Sequence, residues 1–222
     1  MERNRTDTME KYLKSTASID SDNELIRETA DCLTRDIKDD VEKACKLFYF
    51  ARDEIRYNPY SALYPAEASG ILSQRYGFCV QKAVLLAALA RSVAIPARLG
   101  FVDILNHQLH PEWRRIFGSD MVVYHGFAEL YLHGTWLKAT PAFDLRMCLE
   151  NGFIPVEFDG MNHAMLPSHN AYGKPHIEYL EAHGSYEDLP LGEIINAVYK
   201  AYGDRFLECW KSGQWDYYTS SV

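Results

Sequence analysis

The sequence predicts an α+β domain in which one wholly buried helix packs on an antiparallel β-sheet, with extra helices toward both ends of the chain. Residues 80–93, VQKAVLLAALARSV, put Ala, Val or Leu on nearly every helical face, the pattern of a helix surrounded by protein. Residues 121–132 and 135–140 read as two strands joined at His133-Gly134, a hairpin signal. A length of 222 residues suits one hydrophobic core better than two.

A formal charge of −8 argues against a nucleic-acid partner, because phosphate binders gather Lys and Arg on one face. The charged first twenty residues hold no apolar leader-like run, and no stretch of about 18 apolar residues follows, so no membrane partner is expected and a cytoplasmic location is. Five cysteines, Cys32, Cys45, Cys79, Cys148 and Cys209, are an odd number without paired spacing. They read as reduced thiols rather than a disulfide framework or a metal site, and no cofactor is called for.

Taken in order, residues 1–20 read as a loose arm preceding a single domain over 21–222. Ser21-Asp22-Asn23-Glu24 reads as a capping box opening a helix to about Asp36. Asp39-Asp40 opens a second helix carrying Val41, Ala44, Cys45, Phe48, Ala51 and Ile55 at helical spacing, which makes Cys45 core packing. Pro59 stops it, and a loop leads to Gly77-Phe78-Cys79 and the buried helix.

Pro96 ends that helix. Ala97 to Leu105 reads as a strand, and the polar excursion from Asn106 to Asp120 is placed to edge a cleft. In a hairpin with a two-residue turn, Tyr131 faces Trp136, Glu129 faces Lys138 and Phe127 faces Thr140. Beyond Asp144 come a short helix, a strand near Ile154 to Phe158, and a helix after Asp188 bearing Ile194, Ile195, Val198, Tyr202 and Phe206.

Two residues stand out for chemistry. Cys79 starts a helix, where free amides and the dipole favour thiolate, the nucleophilic form of cysteine. His125 lies in a strand between apolar neighbours and ahead of Gly126, placed to serve as a base. Alone, each is as readily core packing. The backbone amide of Cys79 and the side chain of Gln74 are candidate oxyanion donors.

The stretches Gly77-Phe78-Cys79, Lys82-Ala83, Leu85 to Arg91 and Ile95-Pro96-Ala97-Arg98 resemble the core of transglutaminase-like proteins. His125, Glu129, Gly134 and Trp136 are similar to that family's histidine hairpin, and Ile55-Arg56-Tyr57 to the segment before its cysteine. The resemblance covers roughly residues 41–144, leaving 145–222 as C-terminal cover. It implies a papain-like transglutaminase core, with Cys79 as nucleophile and His125 as base.

The family usually places an aspartate four positions after the hairpin tryptophan; here that position is Thr140. Thr140 and Asp144 are both diagonal to His125 in the expected register, so either can orient it. Asp144 is preferred as a carboxylate, although it reads equally as a helix cap.

The expected activity is cysteine-dependent acyl transfer at a peptide, protein or small-amide carbonyl, most simply hydrolysis. Protein-glutamine transglutamination and an arylamine-acetyltransferase-like reaction, to which Arg75 to Cys79 bears a resemblance, are alternatives. So are an inactive peptide-binding scaffold and a metal-binding protein using His107, His110, His163, His169, His176 or His183. The oligomeric state is open.

Overall fold

The structure, a computed structural model, describes residues 9–215. Helices α1 (Glu24–Thr34) and α2 (Asp40–Asp53) come first, then a two-residue strand β1 (Arg56–Tyr57), α3 (Ala68–Gln74) and a second short strand β2 (Tyr76–Gly77). The central helix α4 (Cys79–Ser92) is followed by β3 (Ala97–Asn106), α5 (Pro111–Phe117), β4 (Met121–Leu132) and β5 (Thr135–Ala139). The chain continues through α6 (Leu145–Asn151), β6 (Ile177–Tyr186) and α7 (Leu191–Ser212).

The main sheet has the order β5-β4-β3-β6, all antiparallel. One face packs on α4, whose residues from Cys79 through Arg91 are all buried. That is why its sequence lacks a polar stripe: helices on one side and the sheet on the other leave it no solvent face. The remaining β1-β2 pair is parallel, with Tyr57 opposite Gly77, and so ties the chain before α3 to the entry of α4.

The hairpin has the expected register, with Tyr131 opposite Trp136 and Glu129 opposite Lys138. Glu129 turns elsewhere, however: its carboxylate pairs with Arg98 and accepts from Ser185 at 2.7 Å. The ladder ends at Ala128 opposite Ala139, so Phe127 and Thr140 are not paired.

Several expectations are corrected. The arm is packed from Met9 onward, while residues 1–8 lie outside the described residues: Ile19 is fully buried, the Tyr12 ring meets Trp136 edge-on at 4.9 Å, and the Arg91 guanidinium donates to the Lys14 carbonyl. Asn23, not Ser21, caps α1, accepting from the Leu25 amide. Residues 154–158 form no strand, because side chains take the backbone partners a ladder would use: Arg52 donates to the Val156 carbonyl and the Tyr49 hydroxyl accepts from the Phe158 amide. The excursion after Asn106 contains α5, with Pro111 at its first turn and His110 as its cap, a start signal hidden among polar residues.

Among the described residues no helix is long and apolar enough to cross a membrane, and all five cysteines are free.

Candidate active site

Cys79 is the first residue of α4. That end is locked by Gln81, whose Oε1 accepts from the Phe78 amide at 3.2 Å and from Ser61 at 2.9 Å, while its Nε2 donates to the Ala62 and Pro65 carbonyls. The next buried polar side chain, Lys82, donates to the Arg52 carbonyl at 2.8 Å. Burial brings its ammonium down to about 7, against the opposing pull of Asp144 and Asp53.

β4 passes directly over this helix start. A side-chain carbon on Gly126 would lie 2.9 Å from the Val80 Cα, so only glycine allows this approach. It sets His125, the residue before Gly126, beside Cys79, the residue before Val80, and both line one open cleft of about 670 Å³.

Burial raises the Cys79 thiol above its ordinary value, and the backbone amides of Gly126, Val80 and Cys79 itself pull in the opposite direction. The helix start alone predicts a lowered thiol; with the sulfur under the strand, desolvation outweighs the dipole. Burial likewise lowers His125 to about 4. The resting pair is therefore neutral thiol and neutral imidazole.

β4 carries a bulge just before His125, where its register with β3 shifts between Val102 and Ile104. Tyr124 sits there at φ 52°, a strained conformation for a bulky residue. The two bulge amides are taken by side chains: Val123 donates to the Tyr202 hydroxyl and Tyr124 to Asp103 Oδ1, both at 2.8 Å. Asp103 Oδ1 also meets His183 Nε2 at 2.7 Å, and the His183 ring stacks on Tyr124 with centroids 4.0 Å apart.

The expected orienting residues are engaged elsewhere. Asp144 caps α6, accepting from the Met147 amide through Oδ1 at 2.9 Å and from the Tyr57 amide through Oδ2 at 2.8 Å. Thr140 donates to the Met165 sulfur at 3.3 Å. His125 Nε2 is buried without a hydrogen-bond partner among the described residues. Gln74 is no oxyanion donor in this arrangement: it lies half-buried at the end of α3, donating to the Tyr76 carbonyl at 2.7 Å.

Asp144 instead positions Tyr57, whose ring meets Phe143 edge-on at 5.0 Å and lines the cavities on both sides of Cys79. The Tyr57 phenol is raised chiefly by burial, with the nearby Cys79 sulfur acting in the same direction, so it stays protonated and able to donate. Sequence reasoning gave it no role, although an aromatic residue just before Asn58-Pro59 was a usable signal.

The profile of the transglutaminase-like superfamily matches residues 27–141, a span holding Cys79, His125 and the bulge between them. This chain belongs to the transglutaminase-like superfamily. Of solved structures, the superfamily member is similar to a candidate cysteine protease from Cytophaga hutchinsonii at 17% identity and a TM-score of 0.50, over 81% of this chain and 54% of that one. It thus spans about half the length of that protein, and the likeness is one of fold. A candidate protease from Parabacteroides distasonis matches at 15% identity and a TM-score of 0.40, over 60% of this chain and 25% of that one. No curated protein matches.

The remaining histidines have separate occupations. His107 meets Glu178 at 3.2 Å, His163 accepts from the Lys138 amide at 3.1 Å, and His169 contacts Ser168 at 3.0 Å. His176 is fully buried against Phe153, with ring centroids 4.2 Å apart. Among the described residues, no three His, Cys, Asp or Glu side chains gather to hold a metal ion.

Proposed function

We propose that this protein is a cysteine-dependent acyl-transfer enzyme that hydrolyses an amide or peptide bond, with Cys79 as nucleophile and His125 as base. The observation that carries the reading is that both residues line one cleft, with the backbone amides of Gly126, Val80 and Cys79 directed at the sulfur.

In the proposed reaction the Cys79 sulfur bonds to the carbonyl carbon as His125 takes the thiol proton. The oxyanion receives the Cys79 amide and the Tyr57 phenol, donors already oriented before charge develops. The C–N bond breaks as His125 returns the proton to the leaving nitrogen. Water, deprotonated by His125, then cleaves the thioester and restores the thiol. The openness of the cleft favours water over a bound amine as acceptor.

A second reading, an inactive scaffold that binds peptides in the same cleft, draws on the unpartnered His125 Nε2. Alkylation separates the two. Iodoacetamide at pH 7.5, read by mass spectrometry, should alkylate Cys79 faster in the unaltered protein than in His125→Ala, because His125 takes the thiol proton as the S–C bond forms. Identical labelling of Cys79 in both proteins would leave the scaffold reading standing and the enzyme reading without support.

A further inference from the structure

Cys79 stands at the junction of two spaces of opposite character. One is the open cleft, bordered by Asn106, His107, Gln108, His110 and Glu112. The other is an adjoining recess of about 80 Å³ that also borders Cys79; it shares Trp113 and Phe117 with the cleft and is walled further by Val198, Phe206 and Trp210 among others. Among the described residues no charged side chain lines the recess, and the Tyr202 hydroxyl at its edge is spent on the Val123 amide and the Met121 carbonyl.

The recess is built by two helices. Phe117 of α5 stacks on Tyr202 of α7 with ring centroids 4.7 Å apart, and Phe206 lies 5.3 Å from Phe117. Within α7, Gly203 leaves helical geometry at φ 83° and ψ 177°, a conformation glycine tolerates and other residues resist. The break redirects the second half of α7, bringing Phe206 and Trp210 over the space beside Cys79.

A half-open, largely apolar recess directly against the Cys79 sulfur has room for a small apolar group of a bound molecule. A carbonyl under attack presents two substituents on its carbon, and Cys79 lines two adjoining spaces that can receive one each.

Building on the acyl-transfer reading above, we propose that the recess is the acyl pocket and selects a small branched aliphatic acyl group, while the polar cleft holds the leaving group. Its volume is roughly half of the ~150 Å³ that admits benzene in a dry cavity, enough for about three or four carbons. A charged acyl side chain would be buried there unpaired, at a high desolvation cost. The matching substrate is a peptide or amide with a Val- or Leu-like residue on the acyl side of the cleaved bond.

p-Nitrophenyl esters test this on the unaltered protein. Cys79 displaces p-nitrophenolate, forming the S–C bond as the ester C–O bond breaks, with the thiol proton passing to His125; water then releases the carboxylic acid. Isovaleryl ester should acylate Cys79 at least about tenfold faster than acetyl ester, because each apolar carbon seated in a fitted pocket contributes about tenfold or more. Succinyl and octanoyl esters should fall below both.

Val198→Phe, which fills the recess, should bring the isovaleryl-to-acetyl ratio close to one, read as acyl-protein mass and p-nitrophenolate burst. Equal rates across the ester series in the unaltered protein would overturn the pocket assignment while leaving Cys79 an active nucleophile. Absence of any acyl adduct on Cys79, with iodoacetamide labelling indifferent to His125, would instead overturn the enzyme reading beneath it.

Discussion

Cys79 and His125, the proposed nucleophile and base, are held in opposite ways. The start of α4 is fixed by its near neighbourhood in sequence: Gln81, two residues after Cys79, closes the helix onto Phe78 and onto carbonyls at residues 62 and 65. The bulge before His125 is fixed by Asp103, His183 and Tyr202, drawn from β3, β6 and α7. A local lock makes the sulfur's position a property of one segment. A distributed lock makes the base's position a property of the whole fold.

Removing the proposed base itself sets the scale for breaking this comparison. His125→Ala is expected to lower turnover by about 10²–10⁴-fold, the usual contribution of a positioned acid–base group. The pH dependence of kcat/KM carries a second signature. With the imidazole lowered to about 4 by burial, His125 accepts a proton at any pH above that, so the acid limb should fall near pH 4 rather than near the ordinary value of about 6.5. A limb at the ordinary value would mean that the ring is solvated in the working enzyme.

The next two substitutions set strand against helix. Asp103→Ala takes away the acceptor of the Tyr124 amide and the partner of His183. Relaxation of the bulge shifts the His125 ring, and a displacement on the order of 1 Å costs about 10²-fold in rate. The loss should fall on kcat with KM little changed, and Asp103→Asn, which keeps an oxygen for the amide, should recover most of it. Gln81→Leu leaves the Phe78 amide and two carbonyls without partners, so its main effect should be a stability loss of about 2–3 kcal/mol by urea unfolding. If Asp103→Ala lowers stability and kcat in the proportion Gln81→Leu does, the distinction between the two locks fails.

The same difference explains what could be read from the sequence. The buried helix, its start at Cys79 and the hairpin register follow from periodicity and a two-residue turn, all local signals. The bulge is invisible in that way, because Tyr124 takes a positive φ only when Asp103 and His183 arrive from neighbouring strands. β6, with its exposed, irregular side chains, offered little apolar alternation to find. The orienting aspartate failed for a related reason: Pro141 and the end of the ladder at Ala139 turn Asp144 away from His125 and into a helix cap.

A milder substitution sharpens this last point. Where a carboxylate orients a catalytic histidine, the Asp-to-Asn change costs about 10⁴-fold. Here Asp144→Asn should cost less than about tenfold, since its one amide oxygen can still cap α6 and only the bond from the Tyr57 amide is given up. Asp144→Ala should lose about 1 kcal/mol of stability with the cap and weaken the hold on Tyr57, read by thermal unfolding alongside turnover. A loss of several orders of magnitude in Asp144→Asn, at unchanged stability, would return the residue to the catalytic group.

The smallest expected effect concerns His176, which has no catalytic assignment and isolates the stability side of the comparison. It is fully buried between aromatic rings, neither ring nitrogen has a partner, and burial lowers it to about 4, with His107 adding to the shift. The unfolded chain, with an ordinary imidazole near pKa 6.5, binds more protons than the folded one between about pH 4 and 6.5. The folded state's advantage is thus complete above that window and drains away as pH falls through it. His176→Phe keeps the stacked ring on Phe153 and removes the titrating nitrogens, so its unfolding midpoint in urea should fall less between pH 7 and pH 4.5 than that of the unaltered protein. The change should leave kcat at pH 7 intact, because β6 and the bulge contacts of His183 are untouched. If the two proteins instead lose stability in parallel on acidification, the acid sensitivity belongs to His125 and the sheet around it, and the local and distributed locks share one weak point.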